Sequence, residues 1–405
     1  DTFVLTVTGV NDNPTISNIV DQITDEGVTI TGIAFTADEG GASDEDSQNL
    51  TVTAVSDNQT LIPDANITVI YTADAAADAT GGTLTIAPVG GQTGSATITV
   101  TVTDNGTGLL TAQDTFQVFA SGVNDAPTIS NITDQATNED TAITGIAFTV
   151  DEGGGADEDV QNLTVTATSS NQFLVPDGSI TVVYTADNLV DATGGTLSIT
   201  PTAELIGTAT ITVTVTDNGT GNLTAQDTFV LTVNAVNDNP TVSNIADQTT
   251  NEETTITGIA FTVDEGGGVD EDAQALTITA VSDNQTLVPD ANITVTYTPD
   301  AAADATGGSI AIVPAANQAG TATITVTVTD NGTGTLTAQD TFVLTVTGIN
   351  DAPTISNIAD QSTNEDTTIS GIAFTVDEGG TSDEDAQTLT VTAVSSNQTV
   401  VPDAN

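Results

Sequence analysis

The sequence is built from one unit that recurs every 113 residues. The motif Asn-Asp-x-Pro starts at four positions with this spacing, namely Asn11, Asn124, Asn237 and Asn350. Other residue types keep the same phase, including Tyr71, Tyr184 and Tyr297. A period of this length is that of a whole domain, because modules of about 100 residues can bury a core of their own. We therefore expect a string of similar domains rather than one large fold.

The phase of the repeat predicts where the domains begin and end. The predicted segments are 1–10, 11–123, 124–236, 237–349 and 350–405. The first segment would be the closing strand of a preceding repeat, because the run from Asp1 to Val7 corresponds to the run that begins at Asp114. The last segment would be the first half of a further repeat. We expect the sequence to be a window cut from a longer chain of such repeats.

Within one repeat the pattern is that of β-strands. In the run 95–102 small or apolar residues alternate with Thr, so that one face of a strand would be buried and the other exposed. The inward residues would be Ala96, Ile98, Val100 and Val102. About seven such runs, separated by Gly, Asn, Asp and Pro, predict an all-β chain: a linear array of immunoglobulin-like or cadherin-like β-sandwiches. The Ala-rich segment 73–79 is compatible with a helical turn or a loop.

The charge of the chain excludes several classes of function. The sequence has 56 acidic residues and no Lys, Arg or His, which gives a net charge of −56. No salt bridge can form between its side chains, and carboxylates at this density repel one another. Without basic residues the chain cannot neutralise phosphates, so we expect no nucleic-acid binding. We also expect no direct membrane insertion in this segment, because no apolar run is long enough to span a bilayer.

The absent residue types also argue against catalysis. Nucleophilic triads use a His or Lys base, and the sequence contains neither. A glycosidase uses two carboxylates, but it also needs aromatic residues to bind sugar, whereas only 3% of this chain is aromatic and Trp is absent. A unique active site is also hard to reconcile with near-identical repeats. We predict that the protein is not an enzyme.

The junctions between repeats carry the residues that point to a metal ion. Each junction consists of Asn-Asp-x-Pro without a Gly/Ser linker, and the Pro favours a stiff, extended connector. An acidic cluster interrupted by Gly follows, at 151–159 in the second repeat. Oxygen ligands without His or Cys favour Ca²⁺ over zinc or copper, and Mg²⁺ prefers to keep its waters.

Simpler interpretations of these motifs remain open. Asn-Asp-x-Pro is also a turn that uses its Asn and Asp for local hydrogen bonds, and the Asp-Glu-Asp loop is also a solvated hairpin tip. Adaptation to high salt would explain an acidic chain without a metal. However, such adaptation favours acidic surfaces generally and does not by itself predict clusters at a fixed phase of the repeat.

These residues resemble the cadherin-like tandem repeats of giant bacterial surface proteins and adhesins. The resemblance covers the entire chain and rests on the linker motif, on 138–140 and 157–159, and on the closing run 230–233. In cadherins the linker, an early Glu and an Asp-x-Asp pair jointly hold Ca²⁺ between successive domains. The implied ligands here are Asn11, Asp12, Glu26, Asp44, Asp46, Asn124, Asp125, Glu139, Asp157, Asp159, Asn237, Asp238, Glu252, Asp270, Asp272, Asn350, Asp351, Glu365, Asp383 and Asp385.

The sequence departs from the cadherin pattern in two ways. The Asp that precedes the cadherin Asn-Asp by two positions is replaced here by Gly9, Gly122, Ala235 or Gly348. The acidic-Arg-Glu motif of mid-domain is absent, since the chain has no Arg. The expectation is therefore one or two ions per junction rather than the three of a full cadherin cluster.

The function that these features favour is a structural one. We expect an extracellular, cell-surface rod or filament of calcium-rigidified repeats, whose partners are the neighbouring repeats and, in a fibre, identical chains. The alternative is an adhesin whose repeats bind a cell-surface partner or a glycan directly. Uniform repeats with few aromatic residues favour the rod, because binding faces usually expose Tyr, Trp or Arg. Binding of an isolated repeat to cells or glycans would favour the adhesin.

The sequence predicts unequal roles for two acidic positions. Asp104 begins an Asp-Asn-Gly hairpin turn, bridged by Asp114, and the turn is a sufficient explanation for it. Asp125 lies in a connector, where we expect it to share an ion. The carboxylates expected to converge on Asp125 from its own repeat are those of Glu139, Asp157 and Asp159. Calorimetric Ca²⁺ titration should show a larger loss of affinity for Asp125→Ala than for Asp104→Ala. Equal losses would place the ion elsewhere.

Overall fold

A computed structural model of the chain describes residues 2–41, 43, 45–73, 79–185, 193–298, 306–380, 384 and 386–403. The regular structure is β-strand apart from three short 3-10 helices at equivalent positions, Asp64–Asn66, Asp177–Ser179 and Asp290–Asn292. The chain divides into two compact units. The first comprises Asp1–Ala203 with Gly207–Asn234, and the second Glu204–Ile206 with Ala235–Asn405. None of the described helices is long or apolar enough to cross a membrane.

The first unit contains the strands of two repeats. Those of the first repeat are β1 Thr15–Ile16, β2 Gln22–Asp25, β3 Ile30–Asp38, β4 Thr51–Ser56, β5 Ile67–Tyr71, β6 Thr80–Ile86, β7 Gly94–Thr103 and β8 Thr111–Ser121. Those of the second repeat are β9 Thr128–Ile129, β10 Gln135–Asn138, β11 Ile143–Asp151, β12 Thr164–Ser169, β13 Ile180–Tyr184, β14 Thr193–Ile199, β15 Gly207–Thr216 and β16 Thr224–Asn234.

The second unit contains the strands of a third repeat and of a partial one. Those of the third repeat are β17 Thr241–Val242, β18 Gln248–Asn251, β19 Ile256–Asp264, β20 Thr277–Ser282, β21 Ile293–Tyr297, β22 Thr306–Ile312, β23 Gly320–Thr329 and β24 Thr337–Thr347. Those that follow are β25 Thr354–Ile355 and β26 Val376–Asp377. They pair antiparallel with each other.

Each of the three repeats is a two-sheet sandwich with the same strand order. In the first repeat the sheets are β1-β3-β6-β5 and β2-β8-β7-β4. The first strand is split between them, because β1 pairs antiparallel with β3 while β2 pairs parallel with β8. The predicted all-β array of sandwiches is confirmed by this sheet order.

The core lies between the two sheets and follows the predicted alternation. Ala96, Ile98, Val100 and Val102 are at most 2% exposed, which confirms their inward direction. They pack in one cluster with residues of the facing sheet, including Phe35. A methyl group placed on Gly82 would lie 2.3 Å from Phe35 Cζ. Only Gly at this strand position therefore lets the aromatic ring approach the backbone so closely.

The crossing between β1 and β2 is held by an acidic side chain from β8. The Oδ2 atom of Asp114 accepts a 2.7 Å hydrogen bond from the backbone N–H of Ile19. Asp227 and Asp340 make equivalent bonds, each 2.7 Å long, to Ile132 and Ile245. The N–H groups of the crossing segment leave the strand ladder and need another acceptor. The interpretation of Asp114 as a bridge across the Asp-Asn-Gly hairpin is therefore wrong.

The two ends of the chain are less regular than the three repeats. Residues 2–10, predicted as a closing strand, form no strand, because no described strand pairs with them, and Phe3, Leu5 and Val7 are exposed. Three predicted ligands lie outside the described residues, namely Asp44, Asp383 and Asp385. Most of the Ala-rich segment 73–79 also lies outside them.

Acidic side chains are almost confined to the loops. Within strands β1–β24 the acids are either the last residue of a strand or belong to the Asp114 set. The strand-end acids are Asp25, Asp38, Asp151 and Asp264. The outward positions of β4, β7 and β8 carry mainly Thr, with Gln and a few apolar residues. The faces of the described sheets are therefore essentially uncharged, while the loops at their ends are acidic.

We expect the second repeat to lose stability when its core ring is truncated. Phe229 is 1% exposed, and Phe229→Ala should lower the free energy of unfolding by about 3–5 kcal/mol. The matched control is Phe173, which is 86% exposed in the same repeat, so that Phe173→Ala should change the free energy by less than about 0.5 kcal/mol. Hydrogen exchange of the β15 amides measures the change in unfolding free energy for each variant. Exchange in the first repeat, which is unchanged in both variants, is the internal reference. Equal effects of the two variants would contradict the described core.

Candidate metal centre

In each complete repeat the side-chain amide of the motif Asn is held between an Asp and a Gln side chain. Asn124 Nδ2 donates to Asp217 Oδ2 at 3.2 Å, and Asn124 Oδ1 accepts from Gln161 Nε2 at 2.7 Å. The same Gln161 nitrogen donates to Glu158 Oε2. Asn11 and Asn237 make the same contacts in their own repeats. The linker motif, the acidic loop and the Asp-Asn-Gly hairpin therefore meet at the start of each complete repeat.

Glu158 is one of the most buried carboxylates of this cluster. It is 3% exposed and accepts a hydrogen bond from the backbone N–H of Asp125. Burial raises the pKa of Glu158, and the negative charges of Asp157, Asp125 and Asp217 raise it further. In the third repeat burial is again the main cause that raises the pKa of Glu271, to about 7. The nearby negative charges there are those of Asp270, Asp238 and Asp330.

The Gly residues of the acidic loop allow Asp125 and Glu158 to approach. A methyl group placed on Gly154 would lie 2.5 Å from Glu158 Cγ and 3.0 Å from Asp125 Oδ2. Gly154 also has a φ of 56°, in the left-handed region that favours Gly. The loop therefore folds over the linker motif only with Gly at this position.

Carboxylates from both repeats of the first unit reach the connector 122–124. Glu26 of the first repeat is 8% exposed, and its Oε1 atom accepts a 3.0 Å hydrogen bond from the N–H of Val123. Asp157 of the second repeat lies so close to the connector that a methyl group on Gly122 would be 2.3 Å from its Oδ2 atom. The remaining oxygens, Glu26 Oε2 and Asp157 Oδ1, are buried without a hydrogen-bond partner.

Glu139 lies at the opposite end of its repeat from Asp125. Its N–H donates to the carbonyl of Asn234 at 2.9 Å, because the parallel pairing of β10 with β16 brings it to the end of the last strand. The prediction that Glu139 converges on Asp125 is therefore wrong. Glu26 instead contacts the connector that follows its own repeat. Glu252 likewise accepts the N–H of Ile349 at 2.5 Å.

The other predicted ligands differ in their surroundings. Asp12, Asp238 and Asp351 each lie beside a Gly of the following acidic loop, as Asp125 does. Asn350 accepts from Gln387 at 3.0 Å, and Glu365 is exposed. The half-buried predicted ligands of the acidic loops are Asp46, Asp157, Asp159, Asp270 and Asp272.

Three sets of buried acids were not predicted as ligands from the sequence. The middle residue of Asp-Glu-Asp is more buried than its neighbours, because this segment is a turn and not an extended strand. The hairpin Asp is also buried: Asp104 Oδ1 accepts from Gly106 and Leu110 at 3.0 and 3.1 Å, which confirms the turn, but its Oδ2 contacts Asn11. The constant spacing of these acids from the linker motif was the sequence feature that could have identified them as part of the same site. The third set is the first Glu of each acidic loop. The missed residues are Glu45, Glu158, Glu271 and Glu384, then Asp104, Asp217 and Asp330, and finally Glu39, Glu152 and Glu265.

The chemistry of the junction fits Ca²⁺. The sequence contains no cationic side chain that could compensate these acids. Buried carboxylate oxygens without a partner also occur in the third repeat, at Asp238 Oδ2 and at both oxygens of Asp270. Leaving such groups unsatisfied costs about 1–3 kcal/mol each, and more when they are charged. A hard cation that takes 6–8 oxygen ligands, typically carboxylates, amide carbonyls and water, would satisfy them.

The comparisons with known proteins return cadherin repeats. No protein-family model and no curated protein matches the chain. Protocadherin gammaB7 repeats EC3-6, solved as a cis-dimer, are 18% identical over 86% of this chain and 77% of theirs, with a TM-score of 0.45. Protocadherin gamma B2 domains 1-5 are 18% identical over 85% and 62%, with a TM-score of 0.48. Mouse cadherin-23 EC22-24 is 14% identical over 83% and 99%, with a TM-score of 0.42.

Without Ca²⁺, the stability of the third repeat should depend on the pH. The pKa of Glu271 is raised from 4.5 to about 7 in the folded chain, so the folded state binds this proton more tightly than the unfolded state. Its contribution to stability is present below pH 4.5 and is lost as the pH rises to about 7. Hydrogen exchange of β23 amides in chelator, from about pH 5 to 8, should show this decrease.

The matched variants for this prediction are Glu271→Gln and Asp290→Asn. The first should flatten the pH dependence, because the titrating group is gone. The second removes an exposed carboxylate whose pKa is lowered by the N–H of Ser282, and it should leave the dependence between pH 5 and 7 unchanged. A slope that persists in Glu271→Gln would show that another group is responsible.

Proposed function

We propose that the chain is a structural, extracellular array whose repeat junctions are stiffened by Ca²⁺, as in the stalk of a cell-surface protein or in a fibre. The observation that carries the proposal is the convergence of Glu26 and Asp157, from successive repeats, on the connector 122–124 in a chain that has no cationic side chain to compensate them. Carboxylates from two domains that repel each other across a short connector would loosen it, whereas a shared cation would tie the domains together.

The distribution of charge supports a metal over general adaptation to high salt. Salt adaptation would place acids over the whole surface, but the outward strand faces described here carry Thr and not Asp or Glu. Acids of the loop 151–159 and Asp217 lie around Asn124, and the equivalent acids lie around Asn11 and Asn237, whereas Asp64 and Asp177 lie in other loops. A local cluster at each linker motif is expected when its acids share a ligand.

The residues that would hold the ion at the first junction come from both sides of it. Glu26 belongs to the first repeat, Asn124 and Asp125 to the linker motif, and Asp157 and Asp159 to the acidic loop of the second repeat. A bound Ca²⁺ would supply positive charge and oxygen coordination there. The chain itself would orient these ligands. Glu26 is fixed by its hydrogen bond from Val123, and Asp125 lies against Gly154 of the acidic loop.

The proposed array is non-enzymatic, and its partners are neighbouring repeats and, in a fibre, identical chains. Its support is the same arrangement in every complete repeat: a motif Asn clamped by an Asp and a Gln, with a buried Glu beside it. The buried acids are the same in every complete repeat. This uniformity suits a structural role in which each repeat adds length and stiffness to the array.

Removing Ca²⁺ should loosen and destabilise the chain. Ligand that binds only the folded state raises stability by mass action, so that chelator should lower the melting temperature and Ca²⁺ should restore it. Small-angle scattering should show a narrower distribution of dimensions with Ca²⁺ than with chelator. If chelator changes neither the melting nor the scattering at moderate salt, the proposal is wrong. If NaCl alone has the full effect of Ca²⁺, the adaptation to high salt is the better explanation.

A single carboxylate at the first junction provides the sharper test. Glu26→Gln keeps an oxygen that can accept from Val123 but removes a charge, and we expect about tenfold weaker Ca²⁺ binding at one junction. The control Asp64→Asn also removes one charge from the first repeat, but Asp64 is exposed and bonds the N–H of Ser56 at 2.8 Å. Calorimetric titration should separate the two variants. Equal affinities would exclude Glu26 as a ligand.

A further inference from the structure

Every complete repeat contains one Asn-Gly dipeptide, at 105–106, 218–219 and 331–332. Asn-Gly can deamidate without an enzyme. The Gly nitrogen attacks the Asn Cγ atom and loses its proton to solvent, the Cγ–Nδ2 bond breaks, and ammonia leaves. Water then opens the resulting succinimide ring to Asp or to isoaspartate. Gly permits this reaction because it has no side chain to hinder the approach of its nitrogen.

Both reacting groups are engaged in the folded second repeat. The N–H of Gly219 donates to Asp217 Oδ1 at 3.0 Å, so the attacking nitrogen is bound through its proton to a carboxylate. The Oδ1 atom of Asn218 accepts from the N–H of Asn162 at 2.9 Å, which fixes the amide that would be attacked. The first and third repeats contain the same pair of hydrogen bonds.

The Gly is also immobilised by the linker motif. A methyl group placed on Gly219 would lie 1.6 Å from Asn124 Oδ1, so the Asn124 amide packs directly on the Gly backbone. The succinimide requires this peptide to rotate toward the Asn side chain. Such a rotation would displace Asn124, which Gln161 and Asp217 hold.

We propose that Asn105, Asn218 and Asn331 are sites of spontaneous deamidation, held unreactive by the hairpin Asp and the motif Asn of the same repeat. Local opening of this cluster releases the Gly nitrogen and starts the reaction. The products make the opening permanent, because Asp adds a charge beside the buried Asp217 and isoaspartate adds a methylene to the turn. The proposal concerns the chain's own covalent chemistry and goes beyond the proposed binding of Ca²⁺.

The test uses the full chain with the variant Asp217→Asn, in chelator, at mildly alkaline pH. Peptide mass spectrometry follows the deamidation of all three sites with time, so Asn105 and Asn331 are internal controls. We expect Asn218 to react about tenfold faster than in the unchanged chain, because the Gly219 N–H then donates to a neutral amide oxygen, which binds it more weakly than a carboxylate does. The two controls should react at the unchanged rate. In denaturant all three sites should react rapidly and equally.

A second variant keeps the test decisive if Asp217→Asn unfolds the second repeat. Asn124→Ala removes the packing on Gly219 but leaves both hydrogen bonds of the turn, and it should also accelerate the reaction at Asn218 alone. Hydrogen exchange of β15 and β16 shows whether each variant stays folded. The proposal is overturned if Asn218 reacts as fast in the folded unchanged chain as in denaturant. It is also overturned if a folded Asp217→Asn or Asn124→Ala chain shows no acceleration.

Discussion

The absence of any cationic side chain is the constraint on which the structure depends. Each buried carboxyl group must find hydrogen-bond donors, a bound cation or a proton, because it cannot find Lys or Arg. Asp114 reaches Ile19 across 95 positions of sequence, and Glu26 reaches Val123 across 97. These bonds join the beginning of a repeat to its end. In a chain without Cys, they link distant segments that a disulfide or a salt bridge links in other small domains.

The acidic residues therefore fall into two groups with different physical roles. Asp114 and its equivalents are satisfied by backbone N–H groups and belong to the sandwich itself. Glu26, Asp157 and Glu158 lie at the ends, with buried oxygens that have no partner or with a raised pKa. The first group stabilises each domain, and the second is the group that the proposed Ca²⁺ would satisfy. Asp217 belongs to both, since one oxygen closes the hairpin and the other bonds Asn124.

What the sequence could predict was local or periodic. The inward face of 95–102 follows from a period of two, and the phase of 113 residues located every copy of the linker motif. The end of the repeat at which Glu139 lies was not predictable, because it depends on a parallel pairing between strands about 96 positions apart. The burial of Glu158 was also missed. Its turn places the middle residue of Asp-Glu-Asp inward, whereas an extended strand would have placed the outer two together.

The split first strand has a mechanical consequence. Because β2 and β8 are neighbours and parallel, a pull on the first strand toward its N-terminus and on the last toward its C-terminus makes the two slide past each other. Their hydrogen bonds then stretch together and share the load, whereas an antiparallel pair pulled apart from one end opens bond by bond. Every complete repeat has this pairing. Tension along the chain is thus carried in shear within each domain.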